Sequence, residues 1–312
     1  MARIPGAWPN VLRFAAMVLV WGSSFLLIKL SLGAFSVPQI ALLRVFFGAT
    51  VLGIIMLTTR RRLPRSRRLW GHMAVVGAAQ CGLPFIMTAW SGQYLPSSLS
   101  SIFNAIAPTM TVAFTPLLLK SERLTRVQVL GVVIGIVGVL VLIGPWRFLD
   151  LSHLADTLPA QLVMLCSATV YAFGLVYMRR FVSVSGHDAV TISFLQVSLA
   201  SLPLLILIPA AVTVSVTFSL VPVGAILILG CIGTGVAYIW NTRIVRDWGA
   251  TRASTVTYLM PMVGVILGVV VLGETIDWNE PIGGALILAG VVTSQLGAAH
   301  RRAVGVSSPV VT

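Results

Sequence analysis

Pro84, Pro108 and Pro261 lie inside long apolar segments, where a proline changes the hydrogen bonding of the backbone. A proline within a helix removes the hydrogen bond of the carbonyl four residues earlier. The carbonyls affected are those of Gln80, Asn104 and Thr257. In lipid such carbonyls need another polar partner, so the chemistry that this pattern favours is the binding of a polar solute group.

Further polar and aromatic side chains lie near the middle of the same segments. Amides such as those of Gln80 and Asn104 are costly to expose to lipid, and mid-segment Trp and Tyr lie away from the interfaces where they usually collect. The predicted cavity is lined by Trp21, Gln80, Asn104, Tyr171, Thr257 and Tyr258, and it is amphipathic without a formal charge. The alternative for each residue is a role in helix packing, which prolines and buried amides also serve.

Catalytic and metal-binding patterns are missing from the sequence. It contains no paired carboxylates, nucleophile elbow, histidine-rich cluster or glycine-rich phosphate-binding loop. Its cysteines, Cys81, Cys166 and Cys231, show no CxxC spacing and lie in apolar segments, which indicates small buried residues. We therefore expect no enzymatic activity, no metal and no cofactor.

The composition identifies the elements that must position these residues. The 312 residues are 57% hydrophobic and only 9% charged, with a mean hydropathy of +0.99, whereas a soluble domain carries about 25% charged residues. A helix needs about 20 apolar residues to cross a membrane. Ten such runs are present, at approximately 11–32, 38–58, 70–90, 97–118, 126–144, 160–179, 189–210, 220–240, 250–272 and 281–299. The predicted fold is an all-α polytopic membrane protein with ten transmembrane helices.

The basic residues predict the orientation of these helices. Nearly all of the 21 lysines and arginines lie in alternate loops, including six arginines within 60–68, which makes that side cytoplasmic. Both termini are then cytoplasmic, and we expect a multi-pass protein of the cell (inner) membrane. The net charge of +13 does not indicate nucleic-acid binding, because the charges form short clusters between apolar runs.

A pattern that occurs twice indicates an internal repeat. Pro108 is followed by Glu122, and Pro261 by Glu274; in both copies glycines follow the glutamate by nine and sixteen residues. These glycines are Gly131 and Gly138 in the first copy and Gly283 and Gly290 in the second. Five helices per copy is an odd number, so the second copy must insert upside down. We predict a first repeat at 1–150, an inverted second repeat at 151–302 and a disordered cytoplasmic tail at 303–312.

The glycines also predict where helices approach closely. Gly131, Gly135 and Gly138 mark one face of the fifth helix, and Gly264 and Gly268 form a GxxxG in the ninth. We expect these to be packing faces within the chain, with a dimer seam as the alternative. Either a monomer or a homodimer therefore remains open.

The sequence resembles the EamA-type drug/metabolite transporter superfamily over roughly residues 12–299. The resemblance rests on the WGSSF stretch at Trp21–Phe25 with Lys29, on Arg44 in the second helix, and on the repeated units described above. It implies a ten-helix inverted-repeat carrier that moves small metabolites, often outward, through a central cavity. The second repeat departs from the first at Phe194, which stands where Arg44 would correspond.

Charges near the helix ends predict how such a carrier would close. Lys29 or Arg44 is expected to pair with Glu274 when the outer side is closed, and Arg179 with Glu122 when the inner side is closed. The alternative is that Lys29 and Arg179 extend to the membrane interface and the glutamates cap turns.

Three functions follow as hypotheses. The first is a secondary transporter that exports a small metabolite or drug by alternating access, with a small-molecule substrate and the lipid bilayer as its partners. A polytopic membrane enzyme acting on a lipid-linked substrate would need acidic or histidine residues gathered at one face, but the eight acids are dispersed. A passive channel would need a ring of like residues, usually from an oligomer.

Overall fold

A computed structural model of the protein describes residues 7–119, 124–144, 151–182, 185–216, 218–248 and 256–303. Within these ranges the chain is helical and contains no strand. The helices are α1 (7–31), α2 (Val37–Thr58), α3 (Arg67–Ser91), α4 (Ser97–Leu118), α5 (Arg126–Ile143), α6 (Leu151–Phe181), α7 (Ala189–Val212), α8 (220–248), α9 (Val256–Leu272) and α10 (Asn279–Ala303).

Most of these helices have the length and composition of membrane spans. In the described residues, α1 to α8 are long and apolar enough to cross a bilayer, α9 is apolar but shorter, and α10 has 25 residues. The exterior is apolar as well, since Leu57, Ile206 and Leu220 are 78%, 81% and 89% exposed. Such a surface suits lipid rather than water, so the prediction of an all-α polytopic membrane protein is confirmed.

Several helices are interrupted near their middle. The breaks are a turn at Ser23 in α1, π-helical turns at Ala78–Gly82 in α3 and Ile228–Val236 in α8, and a break in α4 between Ser97–Asn104 and Ala107–Leu118. Two of the predicted prolines accompany breaks: Pro84 follows the π turn of α3, and Pro108 follows the break in α4. By contrast, α9 continues through Pro261.

The glycine faces pack helices of the two halves against each other. A Cβ on Gly290 would lie 2.5 Å from the carbonyl oxygen of Gly131, and one on Gly138 would lie 2.9 Å from that of Gly283. Helices α5 and α10 therefore cross in antiparallel directions with their backbones in contact. This confirms the predicted packing face of α5.

The GxxxG glycines of α9 also pack inside the chain. A Cβ on Gly264 would lie 2.5 Å from the Ser101 side chain, and one on Gly268 would lie 3.0 Å from Ser97 Oγ. Both contacts are with α4, so this face is not available as a dimer seam.

The π turns pack against the second helix of the opposite half. In α2, a Cβ on Gly48 would lie 2.7 Å from Thr234 Cγ2 in the π turn of α8. In the π turn of α3, a Cβ on Gly82 would lie 2.7 Å from the carbonyl oxygen of Ala200 on α7. Close backbone contact at both places brings side chains from α1, α2, α3, α7 and α8 together in the middle of the bundle.

The bundle has two ends that are named here for later use. The Lys29 end carries the end of α1, the α3–α4 turn and Glu274; the arginine end carries the loop at 60–68. The predicted gating residue Glu122 and residues 304–312 of the predicted tail lie outside the described residues.

Candidate functional site

The central side chain of the bundle is Arg44, which is 8% exposed. Its Nε donates a hydrogen bond of 3.0 Å to Thr234 Oγ1, and its guanidinium carbon lies 3.7 Å from the centroid of the Phe85 ring. The Thr234 hydroxyl in turn donates 3.1 Å to the carbonyl of Leu229, within the π turn of α8. One helix from each half thus holds the guanidinium.

A second group of polar atoms lies beside the guanidinium. Cys81 Sγ and the Tyr238 hydroxyl are 3.2 Å apart, and both are close enough to Arg44 to interact with its charge. The Trp21 ring packs edge-on against Tyr238, with centroids 5.7 Å apart. We call the set of Arg44, Cys81, Phe85, Thr234 and Tyr238 the Arg44 cluster.

The π turns supply polar contacts to this region. Trp21 Nε1 donates 3.0 Å to the carbonyl of Gly233, inside the π turn of α8. At the corresponding turn of α3, Gln80 Oε1 accepts 3.1 Å from Gln196 Nε2. A π turn leaves backbone groups outside the regular helical ladder and often marks a functional site; here the Trp21 indole binds one of them.

The structure brings some of the predicted cavity residues together and separates others. Trp21, Gln80 and Tyr171 surround the Arg44 cluster, since Tyr171 lies close enough to Cys81 and Tyr238 to interact electrostatically. Asn104 ends the first half of α4. Thr257 and Tyr258 lie in the first turn of the described part of α9.

The expectation of a cavity without a formal charge is wrong, because Arg44 lies among these groups. The prediction that Lys29 or Arg44 pairs with Glu274 when the outer side is closed stays a prediction, and in this structure Arg44 bonds Thr234 Oγ1. The reason is the packing of α2: Gly48 and the π turn of α8 bring the helices so close that Arg44 faces Thr234.

Lys29 is held at the Lys29 end by backbone carbonyls. Its Nζ donates 2.8 Å to Gly92 O and 3.0 Å to Leu95 O, at the C-terminal end of α3. The carbonyls of a helix C-terminus carry partial negative charge and favour a cation. The ammonium therefore fixes the start of the turn that connects α3 to α4.

Glu274 holds the other end of the same turn. Its carboxylate accepts 2.6 Å from Ser97 N and 2.9 Å from Ser98 N, the first amides of α4. Burial alone would raise the pKa of Glu274, but the hydrogen bonds from Ser98 and Ser97 together outweigh it and hold the pKa below its ordinary value. Gly273, with φ +66°, lets the chain turn back over α4.

The gating prediction thus has a specific outcome in this conformation. Within the described residues Lys29 and Glu274 do not form a direct ion pair; each binds one end of the turn at 92–98, close enough to interact electrostatically. We call this arrangement the Lys29 clamp. Arg179 is exposed at the end of α6, and its predicted partner Glu122 lies outside the described residues.

Two open grooves lie next to the clamp. One, of about 620 Å³, is lined by Lys29, Ser36, Gln93 and Val214. The other, of about 590 Å³, is lined by Ile86, Trp90, Pro38 and Val163. Both are open at the Lys29 end, and the second extends along α3 as far as Ile86, which follows Phe85.

The geometry is that of a helical bundle with polar groups between two halves, and comparison with known proteins agrees with it. The sequence profile of the EamA-like transporter family matches the chain twice, over residues 8–144 and 158–294. The chain belongs to the EamA-like transporter family. The family is one of transporters rather than enzymes, and the double match places one family unit in each half.

Relatives with curated names match nearly the whole chain of this EamA-family protein. A probable amino-acid metabolite efflux pump of Salmonella typhimurium is 28% identical over 301 residues, which cover 93% of this chain and 96% of the relative. A probable terminal-alkyne amino-acid exporter of Streptantibioticus cattleyicolor is 25% identical, covering 88% and 89%. An uncharacterized inner membrane transporter of Escherichia coli strain K12 is 25% identical, covering 95% and 94%.

A solved structure supports the fold of this EamA-family chain. A crystal structure of a protein superimposes with a TM-score of 0.61 at 21% sequence identity, covering 92% of this chain and 98% of the other. At this identity the likeness concerns the fold alone.

Several residues of the Arg44 cluster were missed by the sequence analysis. They are Cys81, Phe85, Thr234 and Tyr238, together with the neighbouring Gln196. A usable signal was present, because the repeat offset of 150 that relates Trp21 to Tyr171 also carries Gln80–Pro84 onto Gly230–Thr234. No group of three or more metal-ligating side chains occurs in the described part of this EamA-family chain.

Proposed function

We propose that the protein is a secondary transporter that exports a small metabolite by alternating access. Its working unit is a pair of inverted five-helix repeats, at 1–150 and 151–302, which make ten membrane spans. The observation that carries this proposal is the crossing of α5 and α10: the first glycine of each repeat meets the second glycine of the other, Gly131 with Gly290 and Gly138 with Gly283.

This exchange of equivalent contacts is what an inverted repeat requires. Two units related by a two-fold axis in the membrane plane place equivalent residues on opposite sides of that axis. The π turns support the same relation, since Ala78–Gly82 and Ile228–Val236 lie 150 residues apart, in the third helix of each unit. Interrupted helices that meet between two such units are typical of transporter binding sites.

The orientation that we propose has both termini in the cytoplasm. The loop at 60–68 carries six arginines, so the arginine end faces the cytoplasm and the Lys29 end faces outward. One relative is named as an inner membrane transporter, and we assign this chain to the same membrane.

The substrate class that we propose is a small amphipathic metabolite of the amino-acid type. Two relatives are named for amino-acid metabolites or for an alkyne amino acid. The Arg44 cluster offers both of the surfaces that such a molecule needs, because its aromatic rings lie next to hydrogen-bonding groups.

Counterflow in proteoliposomes tests the proposal. Vesicles are loaded with an unlabelled amino acid that a metabolite comparison of cells with and without the protein has identified, and labelled solute is added outside. A carrier gives a transient overshoot of label, since loaded and empty states exchange. Simple equilibration without overshoot would indicate a channel, and no flux of any candidate would contradict transport.

A variant then links flux to the cavity. Asn104→Leu is expected to lower counterflow at least about tenfold with normal folded yield, because interhelical polar contacts in membranes stabilise by only ~0.6 kcal/mol. The matched control is Thr50→Val, since Thr50 is exposed on α2 and bonds only its own helix, at Phe46 O. Normal flux in Asn104→Leu would remove Asn104 from the site.

A further inference from the structure

The charge of Arg44 has no carboxylate near it in the described part of the protein. Its one hydrogen bond to a protein acceptor there runs from Nε to Thr234 Oγ1 at 3.0 Å, and Phe85 covers one face of the guanidinium. Among the described carboxylates, those of Glu274 and Asp188 bind backbone amides at helix starts instead.

A buried charge without a counter-charge lowers the stability of the fold. Arginine keeps its charge in proteins, and a charge inside a membrane protein without a partner is unfavourable by several kcal/mol by general estimates. The guanidinium has five N–H donors, and Thr234 accepts from one. The remaining four form the planar fork that matches a carboxylate in a bidentate arrangement.

We propose that Arg44 binds the carboxylate of the transported metabolite. This inference rests on the proposed function and names the part of the substrate that the central site recognises. The Phe85 ring lies against the guanidinium carbon, and the Trp21 and Tyr238 rings, which pack edge-on against each other nearby, suit an apolar side chain. The site thus selects a small molecule that carries a carboxylate over one that carries an amide in the same place.

The position of the site between the halves connects binding to transport. Arg44 belongs to α2 in the first half, and its hydrogen-bond acceptor Thr234 belongs to α8 in the second. Phe194 stands at the equivalent place in the second repeat, so the molecule offers one such fork. We therefore expect one carboxylate to bind per chain.

Matched acid and amide pairs test this inference directly. Purified protein in detergent is titrated with three pairs, 3-phenylpropionate and its amide, L-phenylalanine and L-phenylalaninamide, and L-leucine and L-leucinamide, and the melting temperature is followed. We expect at least one acid to bind about tenfold or more tightly than its amide, since hydrogen bonds to charged groups are the stronger ones. A titration with inorganic phosphate alone tests whether any anion binds at this site.

Variants assign the preference to its residue. Arg44→Gln is expected to abolish the difference between acid and amide, whereas Arg126→Gln, which removes an exposed arginine at the start of α5, is expected to keep it. Arg44→Lys keeps the charge but loses the fork, so it should retain a weaker preference. If Arg44→Gln does not fold, the wild-type pairs and Arg44→Lys still decide.

The outcomes separate this inference from the proposed function. Equal response to acid and amide in every pair, including no response at all, would overturn it, as would phosphate binding as tightly as the acids. If acids bind through Arg44 but no counterflow occurs, the transport function fails and the site stands. If counterflow carries acid and amide equally in wild type and in Arg44→Gln, the site fails and the transport function stands.

Discussion

Lys29 and Arg44 are two cations on neighbouring helices, and their surroundings differ in kind. Lys29 binds two backbone carbonyls at the end of α3 and lies near Glu274, which binds the start of α4. Arg44 has one neutral hydroxyl and one aromatic ring. The charge of Lys29 is used within the protein to hold a turn, whereas that of Arg44 is left for a group that the protein does not contain.

This difference predicts that the two cations contribute to different properties. A charge that donates to several protein acceptors stabilises the fold, and its removal leaves those acceptors without a partner. A buried charge with one neutral acceptor costs desolvation energy that its contacts do not recover. Removing Lys29 should therefore weaken the bundle, and removing Arg44 should weaken substrate binding.

The largest expected effect on stability follows from replacing each cation by a chain of similar length. Lys29→Met is expected to lower the free energy of unfolding by about 2 kcal/mol, because two hydrogen bonds from a charged donor are lost. Arg44→Met is expected to change it by less than about 1 kcal/mol, because the lost hydrogen bond is offset by the removal of a buried charge. Equilibrium unfolding in mixed detergent micelles measures both.

Arg126→Met, at an exposed position of α5, is the control for loss of an arginine in general. A larger loss of stability in Arg44→Met than in Lys29→Met would reverse the comparison and make Arg44 a structural residue.

A smaller effect is expected from the other half of the clamp. Glu274→Gln keeps an acceptor for the first amides of α4 but loses the charge that favours a helix N-terminus, a loss of about 1 kcal/mol. If the protein works by the alternating access proposed above, this variant should shift it toward the outward-open state, because the clamp fixes the α3–α4 turn. A cysteine at Asn104 should then react faster with an impermeant thiol reagent added outside.

The opposite variant sharpens this test. Glu122→Gln is expected to shift the same cysteine toward reaction from the cytoplasmic side, if the inner side closes through Glu122 and Arg179. If the cysteine at Asn104 is equally accessible in the two variants, the prediction that Glu274 closes the outer side and Glu122 the inner side is refuted.

The features that the sequence predicted are those that depend on composition or on backbone approach. Helices followed from apolar length, and the packing face of α5 followed from its glycines, because glycine lets two backbones come close. The break before Pro108 followed from the missing amide hydrogen. Each of these is a local property of the chain.

The position of Arg44 could not be predicted in this way. Apolar spans show little amphipathic pattern, so the sequence does not say which face of α2 meets which neighbour. The π turns of α3 and α8 contact the backbones of α7 and α2 through Gly82 and Gly230, and those contacts exist only after the halves assemble. Likewise, Lys29 and Glu274 have opposite charges, but each binds backbone groups at a helix end instead of forming a direct ion pair.

The smallest expected effect concerns the pH dependence of the clamp. Folding lowers the pKa of Glu274 below its ordinary value of 4.5, so between the two values the unfolded state binds more protons than the folded one and stability rises with pH. The stabilisation is therefore fully present above pH 4.5 and is lost as the pH falls through the lowered pKa.

Asp188, at the start of α7, would obscure this dependence if the wild type were measured alone. Burial would raise the pKa of Asp188, but the hydrogen bonds from Thr191 and Val190 and the nearby charge of Arg61, whose Nη1 lies 3.7 Å from the Asp188 carboxylate, hold the pKa below its ordinary value. Both carboxylates thus lose stabilisation on acidification. The difference in unfolding free energy between wild type and Glu274→Gln cancels the part due to Asp188.

We expect this difference to stay constant at about 1 kcal/mol from pH 7 to 5 and to shrink below pH 4.5, where Glu274 becomes protonated and resembles the glutamine that replaces it. The matched Asp188→Asn variant should keep the Glu274 dependence unchanged, because the two sites lie at opposite ends of the bundle and distant sites add. A difference that grows on acidification would mean that Glu274 is held protonated in the folded state. Glu274 would then bind the start of α4 as a neutral carboxylic acid. Lys29 would have no negative charge near it, as is the case for Arg44.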